Sequence, residues 1–182
     1  MPERLRRSAV VLTSVALMMG FVAAPAGAGP QAKNTQFAGS AVYEWSDLFG
    51  DAYNPGEPDL DVCAPLDGEF AAYTDFTMRI EGDLTGCWYT LVLDFNETPS
   101  GAYSETGLEV FVADDTDDMF WTTYDFHGKF DAEGNEIHGR CQHLVVDGTG
   151  MFEDATGRLD FKDDVDAGIN YYRGHMKLPN AA

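Results

Sequence analysis

Eight short segments of this chain alternate apolar and polar residues, and turn-forming residues separate them. A period of two is that of a β-strand with one buried face, because successive side chains point to opposite sides. The predicted strands are residues 37–45, 73–81, 87–96, 103–113, 119–131, 137–146, 158–163 and 169–178. No segment keeps a sustained helical period, so the pattern predicts an all-β barrel or sandwich rather than an α/β fold.

The alternation also assigns each side chain to a face of its strand. The predicted inward set comprises Phe76, Met78, Ile80, Tyr89, Leu91, Leu93, Phe95, Leu108, Val110, Val112, Phe120, Thr122, Tyr124, Phe126, Phe130, Ile137, Cys141, His143, Val145, Leu159, Phe161, Tyr172, Met176 and Leu178. The predicted outward set includes Trp88, Thr90, Asp94, Glu105, Glu109, Arg158, Asp160, Lys162, Arg173 and His175. With these faces, an eight-stranded barrel encloses a filled interior or space for one small ligand.

A glycine-rich segment, DGTGMFEDATGRLDFKDD, precedes the last strand and spans residues 147–164. Gly148 and Gly150 predict a bend, and Gly157 suits the left-handed position that ends a short turn over residues 153–156. A phosphate-binding loop is the alternative. Its pattern G-x-G-x-x-G would begin at Gly148, but Glu153 stands where the third glycine is needed. The segment also contains no G-x-x-x-x-G-K-[ST] and carries acidic residues that repel an anion, which favours a structural role.

The pattern G-T-G-x-F-x-x-A-T-G-x-x-x-F, from Gly148 to Phe161, resembles the closing segment of allene oxide cyclase-like and dirigent-like β-barrels. The following Tyr172-Arg173-Gly174-His175 is similar to the last strand of secreted bacterial members of that group. The resemblance covers about the last third of the chain. It implies a single eight-stranded antiparallel barrel with a small apolar cavity, and it assigns no catalytic residue to a position in this chain.

The amino-terminal residues have the features of a signal peptide. A basic start with Arg4, Arg6 and Arg7 precedes an apolar run and the small-residue site Ala26-Gly27-Ala28. We therefore expect a cleaved signal peptide over residues 1–28, a flexible leader over 29–36 and a barrel over 37–182 with a long acidic loop at 46–68. The general secretory route is favoured, although Arg6-Arg7 also permits twin-arginine export.

The charge is strongly acidic. The full chain has a formal net charge of −20, and loss of three Arg and one Glu with the signal peptide makes it −22. Such a charge disfavours nucleic acid and anionic membranes, because binding to either needs Lys or Arg. No stretch beyond the signal peptide approaches a membrane span.

Three cysteines follow the signal peptide: Cys63, Cys87 and Cys141. An exported protein with an odd number of cysteines is expected to form one disulfide and keep one thiol, and three connectivities are possible. We favour Cys87–Cys141, because both lie in predicted strands whereas Cys63 lies in a predicted loop.

Candidate ligand-binding residues are the polar groups on the predicted inward faces: Tyr89, Tyr124, His143 and Tyr172. A mostly apolar cavity with a few convergent polar groups is typical of small-molecule sites. The simpler interpretation is that each group only satisfies a hydrogen bond in a packed core.

Metal binding and cofactor binding are not predicted. Cys141 and His143 share a face, but two ligands are too few for zinc. The acidic run at residues 114–118 lacks the ligand order of a calcium loop. Hydrolase and nucleotide-binding motifs are missing as well, so no cofactor is expected.

Three functions remain open. The first is a secreted barrel that binds a small apolar or aromatic molecule. The second is a cyclase or isomerase of the allene oxide cyclase or dirigent type, in which His143 and Tyr124 would be candidates for proton transfer. The third is a structural or surface-interaction protein with a filled barrel.

Overall fold

The computed structural model describes residues 32–46 and 63–179, which form a closed barrel of eight antiparallel strands. The strands are β1 (Lys33–Trp45), β2 (Phe76–Gly82), β3 (Gly86–Glu97), β4 (Ala102–Ala113), β5 (Met119–Phe130), β6 (Glu136–Gly148), β7 (Thr156–Asp164) and β8 (Ile169–Leu178). Each strand pairs with its neighbours along the chain, and β8 pairs with β1. The predicted all-β, eight-stranded antiparallel barrel is confirmed. The predicted signal peptide and residues 47–62 of the predicted acidic loop lie outside the described residues.

The first strand begins earlier than predicted. Lys33 pairs with Leu178 and Gln36 pairs with His175 across the seam between β1 and β8. Residues 33–36, which were predicted to belong to a flexible leader, are therefore part of the barrel wall. Their polar side chains hide this role, because the pairing is made by the backbone.

Trp88 on β3 lies at the centre of the barrel interior with none of its side chain exposed. Its ring lies 5.4 Å from the Phe120 ring and 5.1 Å from the Phe161 ring, measured between centroids. Phe111 and Phe152 extend this cluster and fill one end of the barrel. Burial of such large aromatic side chains is a main source of folding free energy, since replacing one by Ala typically costs about 3–5 kcal/mol.

A second, smaller core lies on the outer face of β3 and β4. Tyr89 and Val110 pack there with Trp45, Cys63 and Cys87. The disulfide joins Cys63 to Cys87, and Cys141 is a free, buried thiol. The predicted Cys87–Cys141 disulfide is therefore wrong. Cys87 faces the outside of the wall, where the segment around Cys63 covers it, whereas Cys141 belongs to the interior cluster.

The predicted faces of β3 and β4 are also wrong. Trp88 and Thr90 point inward and Tyr89 outward, while Glu105 and Glu109 are buried with only 6% and 3% exposed. Both faces of this part of the wall are covered, so apolar residues occupy both parities and alternation cannot distinguish them. A register shift between Val92 and Asp94 further breaks the period.

Three residues predicted to be buried are exposed instead. Leu93 is the extra residue at the register shift in β3, Phe95 follows it, and the two are 62% and 61% exposed. Ile137 is 54% exposed and is itself the extra residue of a register shift, because Glu136 pairs with Phe130 and His138 pairs with Lys129. By contrast, the predicted outward positions of Arg173 and His175 on β8 are confirmed, since both side chains are exposed.

The glycine-rich segment bends before β7, as predicted, and its Phe152 packs on the filled end of the barrel. Its 3-10 turn spans Gly150–Phe152, a few residues earlier than expected, and the left-handed position after it belongs to Asp154. Phe152 is 1% exposed and packs on Phe120 with ring centroids 5.0 Å apart. Gly157 also has a positive φ of 153°, and a Cβ there would collide with the backbone carbonyl of His175 on β8.

Candidate ligand-binding cavity

The barrel is filled at one end and hollow at the other. The hollow end contains a cavity of about 300 Å³, which is the lower end of the range for small-molecule sites. Its apolar and aromatic lining consists of Tyr43, Phe76, Met78, Tyr103, Tyr124, Phe126, Phe130 and Phe161. Its polar lining consists of Thr90, Glu97, Glu105, Glu109, Glu136, Cys141, His143, Asp163 and Asn170, with Gly134 at the hairpin between β5 and β6.

Glu109 on β4 anchors the deepest polar group of the cavity. One of its carboxylate oxygens, Oε2, accepts a hydrogen bond from Thr122 Oγ1 at 3.0 Å and lies 3.1 Å from His143 Nε2. The other, Oε1, accepts a hydrogen bond from Thr90 Oγ1 at 3.2 Å. Three strands thus supply donors to one buried carboxylate, which is how a protein compensates the loss of water around a charge.

Glu105 lies two inward positions nearer the open end of β4. Its Oε2 accepts a hydrogen bond from Tyr103 OH at 2.6 Å, and its Oε1 accepts one from Tyr124 OH at 2.5 Å. Burial raises the pKa of the Glu105 carboxyl above its ordinary value, and the two tyrosine hydroxyls partly oppose this rise. Burial and the charge of Glu105 also raise the pKa of Tyr124 far above its usual range, so this hydroxyl is a proton donor at neutral pH.

A second carboxyl pair, Glu136 on β6 and Asp163 on β7, lines the cavity closer to solvent. Burial and a hydrogen bond with Asp163 raise the pKa of Glu136 to about 8. At neutral pH the Glu136 carboxyl is therefore mostly protonated beside Asp163. Gly139 makes room for this pair, because a Cβ at that position would collide with Asp163 Oδ2 and Glu136 Oε1.

No Lys or Arg of the described residues lines the cavity, and His143 is the one basic side chain in its lining. Every Lys and Arg after Arg7 lies within the described ranges, so none of the undescribed residues after Arg7 is a Lys or Arg. Arg79 and Arg158 form ion pairs elsewhere, with Asp114 and Asp160 respectively. The cavity therefore has apolar and aromatic walls and several carboxyls, with no Lys or Arg of the described residues beside them.

His143 is enclosed by aromatic rings. Its ring centroid lies 4.4 Å from that of Phe161 and 5.2 Å from that of Trp88, and only 1% of its side chain is exposed. Nε2 faces Glu109, whereas the buried Nδ1 has no hydrogen-bond partner among the described residues. A buried ring nitrogen without a partner is unusual, and it makes His143 incomplete as a purely structural group.

The structure brings together two of the four residues predicted to bind a ligand. Tyr124 and His143 both line the cavity, with ring centroids 6.2 Å apart. Tyr89 instead lies on the outer face of the wall, where its hydroxyl donates to the Ala64 carbonyl at 2.8 Å. Tyr172 is buried inside the barrel but outside the cavity lining, and its hydroxyl accepts a hydrogen bond from the Leu84 backbone N–H at 3.0 Å.

Five cavity carboxyls were not predicted: Glu97, Glu105, Glu109, Glu136 and Asp163. Glu105, Gly107, Glu109 and Phe111 share one parity of β4, and Phe111 was the signal that this parity faces the core. Leu108, Val110 and Val112 lie on the other parity, and these three apolar residues indicated that the other face of β4 points to the core. Glu136 lies just before the predicted start of its strand, and Asp163 is the last residue of a predicted strand, where alternation is least informative.

Cys141 also lines the cavity as a buried thiol. Burial raises its pKa well above the ordinary value, so it is protonated and unreactive towards metals and electrophiles at neutral pH. Within residues 32–46 and 63–179, no group of three or more His, Cys, Asp or Glu side chains is arranged to hold a metal ion.

Fold and site together define the class of this protein: a closed eight-stranded antiparallel β-barrel with an acidic, aromatic-walled internal cavity. Comparison of the chain with protein-family models, with curated proteins and with solved structures finds no significant match. In the part of the chain that the structure describes, no helix has the length and apolarity to cross a membrane.

Proposed function

We propose that this chain is a secreted binding barrel that takes up a small molecule with an apolar or aromatic body. The observation that carries the proposal is the cavity of about 300 Å³, whose wall is made mainly of aromatic rings with a few polar groups between them. Packed protein interiors rarely leave such a volume unfilled, since each lost contact costs free energy. The same volume argues against the filled barrel that a purely structural protein would have.

Export and family membership are part of the same proposal. A disulfide such as Cys63–Cys87 persists in oxidising compartments, and the basic and apolar start of the chain suits a signal peptide. Membership of the allene oxide cyclase-like and dirigent-like group rests on the Gly148–Phe161 pattern and on the barrel that this pattern closes. Barrels host unrelated activities, so the fold alone assigns no reaction.

The test compares one variant that blocks the cavity with one that does not. Cys141→Leu adds volume inside the cavity, whereas Gln142→Leu adds the same side chain one residue later on the exposed face. We expect the uncharged fluorescent probe N-phenyl-1-naphthylamine to bind the wild type and Gln142→Leu alike, and to bind Cys141→Leu much more weakly. Equal binding by all three proteins, or no binding to any, would remove the cavity as the binding site.

A second candidate function is a cyclase or isomerase that acts within the same cavity. The observation that favours it is the pair of buried proton donors and acceptors, His143 with Glu109 and Tyr124 with Glu105. Groups held in this way can transfer protons to and from a bound substrate. If a substrate is found, Tyr124→Phe should abolish turnover while the melting temperature shows that the barrel is still folded.

A further inference from the structure

We infer that the ligand of this cavity is a small organic cation, an amine with an apolar or aromatic body, whose ammonium group is recognised by Glu105 and by the Glu136–Asp163 pair. This inference rests on the proposed binding function and names the chemical class that the site selects. The argument has three steps: the charge that the cavity leaves uncompensated, the kind of cation that its walls accept, and a buried nitrogen that lacks a partner.

The first step is the charge balance. Buried carboxylates in proteins are normally paired with a base or a metal, because an isolated charge is costly to remove from water. Among the described residues that line this cavity, only Glu109 faces a base, His143, at 3.1 Å. Glu105 receives hydrogen bonds from two neutral hydroxyls, and Asp163 faces another carboxyl. No Lys or Arg of the described residues lines the cavity, so a cationic ligand would supply the counter-charge that these carboxyls lack.

The second step concerns the kind of cation. No described group of His, Cys, Asp or Glu is arranged to hold a metal ion, so the donors are too dispersed for an inorganic ion. Aromatic rings line the same space, among them Tyr43, Phe76, Phe126 and Phe130. The faces of aromatic rings attract ammonium groups and also accommodate apolar bodies. Carboxylates and rings in one cavity therefore suit an organic ammonium ion better than a neutral or an anionic molecule.

The third step is the unpartnered nitrogen of His143. Its side chain is 1% exposed and lines the cavity, yet Nδ1 has no hydrogen-bond partner among the described residues. Glu136 Oε1 is likewise buried without a partner. A buried donor or acceptor left unsatisfied costs about 1–3 kcal/mol, so two such atoms beside one cavity indicate groups that a ligand or its bound water completes.

The experiment uses three probes of similar size and different charge: 2-phenylethylamine, 2-phenylethanol and 3-phenylpropanoate. Dissociation constants are measured by calorimetry at pH 7.5 for the purified protein. We expect the amine to bind about tenfold or more tightly than the alcohol, the usual size of a charge-assisted hydrogen bond, and the anion to bind most weakly.

Variants then show which groups produce the preference. Glu105→Gln and Asp163→Asn are each expected to reduce the preference for the amine over the alcohol by about tenfold while the alcohol binds as before. Glu105 is more deeply buried than Asp163, so Asp163→Asn provides the test if Glu105→Gln does not fold. Asp94→Asn is the matched control, because Asp94 is an exposed carboxyl of β3 that does not line the cavity, and it should leave the preference unchanged.

The outcomes separate the inference from the function on which it rests. If the alcohol and the amine bind with equal affinity, or if the preference survives in both variants, the cation inference is overturned and the binding function stands. If none of the three probes binds and N-phenyl-1-naphthylamine does not bind either, the binding function itself fails and the inference fails with it.

Discussion

His143 Nε2 lies 3.1 Å from Glu109 Oε2 inside the barrel, and these two side chains are 1% and 3% exposed. The carboxylate also accepts hydrogen bonds from Thr90 and Thr122, so it joins three donors that face the interior from different strands. Because each of these donors would otherwise be buried without an acceptor, Glu109 contributes to the stability of the barrel as well as to the charge of the cavity.

Replacing Glu109 should therefore affect stability according to the acceptors that remain. Glu109→Leu leaves three buried donors without an acceptor and is expected to lower the free energy of unfolding by about 3–5 kcal/mol. Glu109→Gln keeps one carbonyl oxygen, and we expect a loss of roughly 1–2 kcal/mol. Urea unfolding followed by tryptophan fluorescence measures both values. Equal losses in the two variants would show that Glu109 is not the acceptor on which these donors depend.

The Glu136–Asp163 pair predicts a pH-dependent stability. The pKa of Glu136 is raised to about 8 in the folded barrel from an ordinary value of 4.5, so folding favours its protonated form. This contribution is complete below about pH 4.5 and is lost as the pH rises through about 8. Relative to Glu136→Gln, which cannot titrate, the wild type should thus become less stable from pH 5 to pH 8.5. A difference between the two proteins that stays constant over this range would contradict the raised pKa.

Gly139→Ala tests the space beneath the same pair. The added Cβ would collide with the ends of the Glu136 and Asp163 side chains, which can move, and with the edge of the Phe126 ring. We expect the carboxyls to separate and the pKa of Glu136 to fall towards its ordinary value, as followed by NMR titration of the labelled side chain. Gly134→Ala offers a control for an added methyl group, because a Cβ there meets no atom within 4 Å, although its φ of 86° adds backbone strain of its own.

Thiol counting tests the disulfide. With Cys63 joined to Cys87, the unfolded but unreduced chain should expose one thiol, and Cys141→Ser should expose none. In the folded protein that thiol should react slowly, because Cys141 is buried and its pKa is raised. Reaction with Ellman's reagent, with and without guanidinium, measures each count. A single thiol that persists in Cys141→Ser would place the disulfide elsewhere.

Removing the disulfide should destabilise the barrel without emptying the cavity. Cys63→Ser with Cys87→Ser opens a loop of sequence separation 24 on the outer face and is expected to cost about 3 kcal/mol. Ligand binding at the hollow end should persist at temperatures where the variant is folded, because neither cysteine lines the cavity. Loss of binding in a folded variant would contradict the separation of these two regions.

The barrel could be predicted from the sequence because most of its strands follow the simple rule of one buried face. Residues such as Phe120, Tyr124, Leu159 and Met176 lie where alternation puts them. The rule failed in β3 and β4, since a second core around the disulfide covers their outer face and makes Val110 as buried as Phe111.

The same failure hid the candidate site. A Glu at an alternating position is normally exposed, and only three-dimensional contacts show that Thr90, Thr122 and His143 satisfy Glu109, or that Tyr103 and Tyr124 satisfy Glu105. Such contacts join residues of different strands, and no local pattern in one strand contains them. Tyr124 and His143 were found because their own strands obey the simple rule.

The seam between β1 and β8 brings Lys33 opposite Leu178, near the two ends of the described chain. Contacts between residues so distant in sequence form slowly, because a long stretch of chain must lose its freedom before they are made. Until the final strand arrives, β1 and β7 each expose an unpaired edge that can associate with other chains. The last ten residues of the wall thus protect the whole molecule against aggregation, and a shortened chain that ends before Ile169 loses that protection at two edges at once.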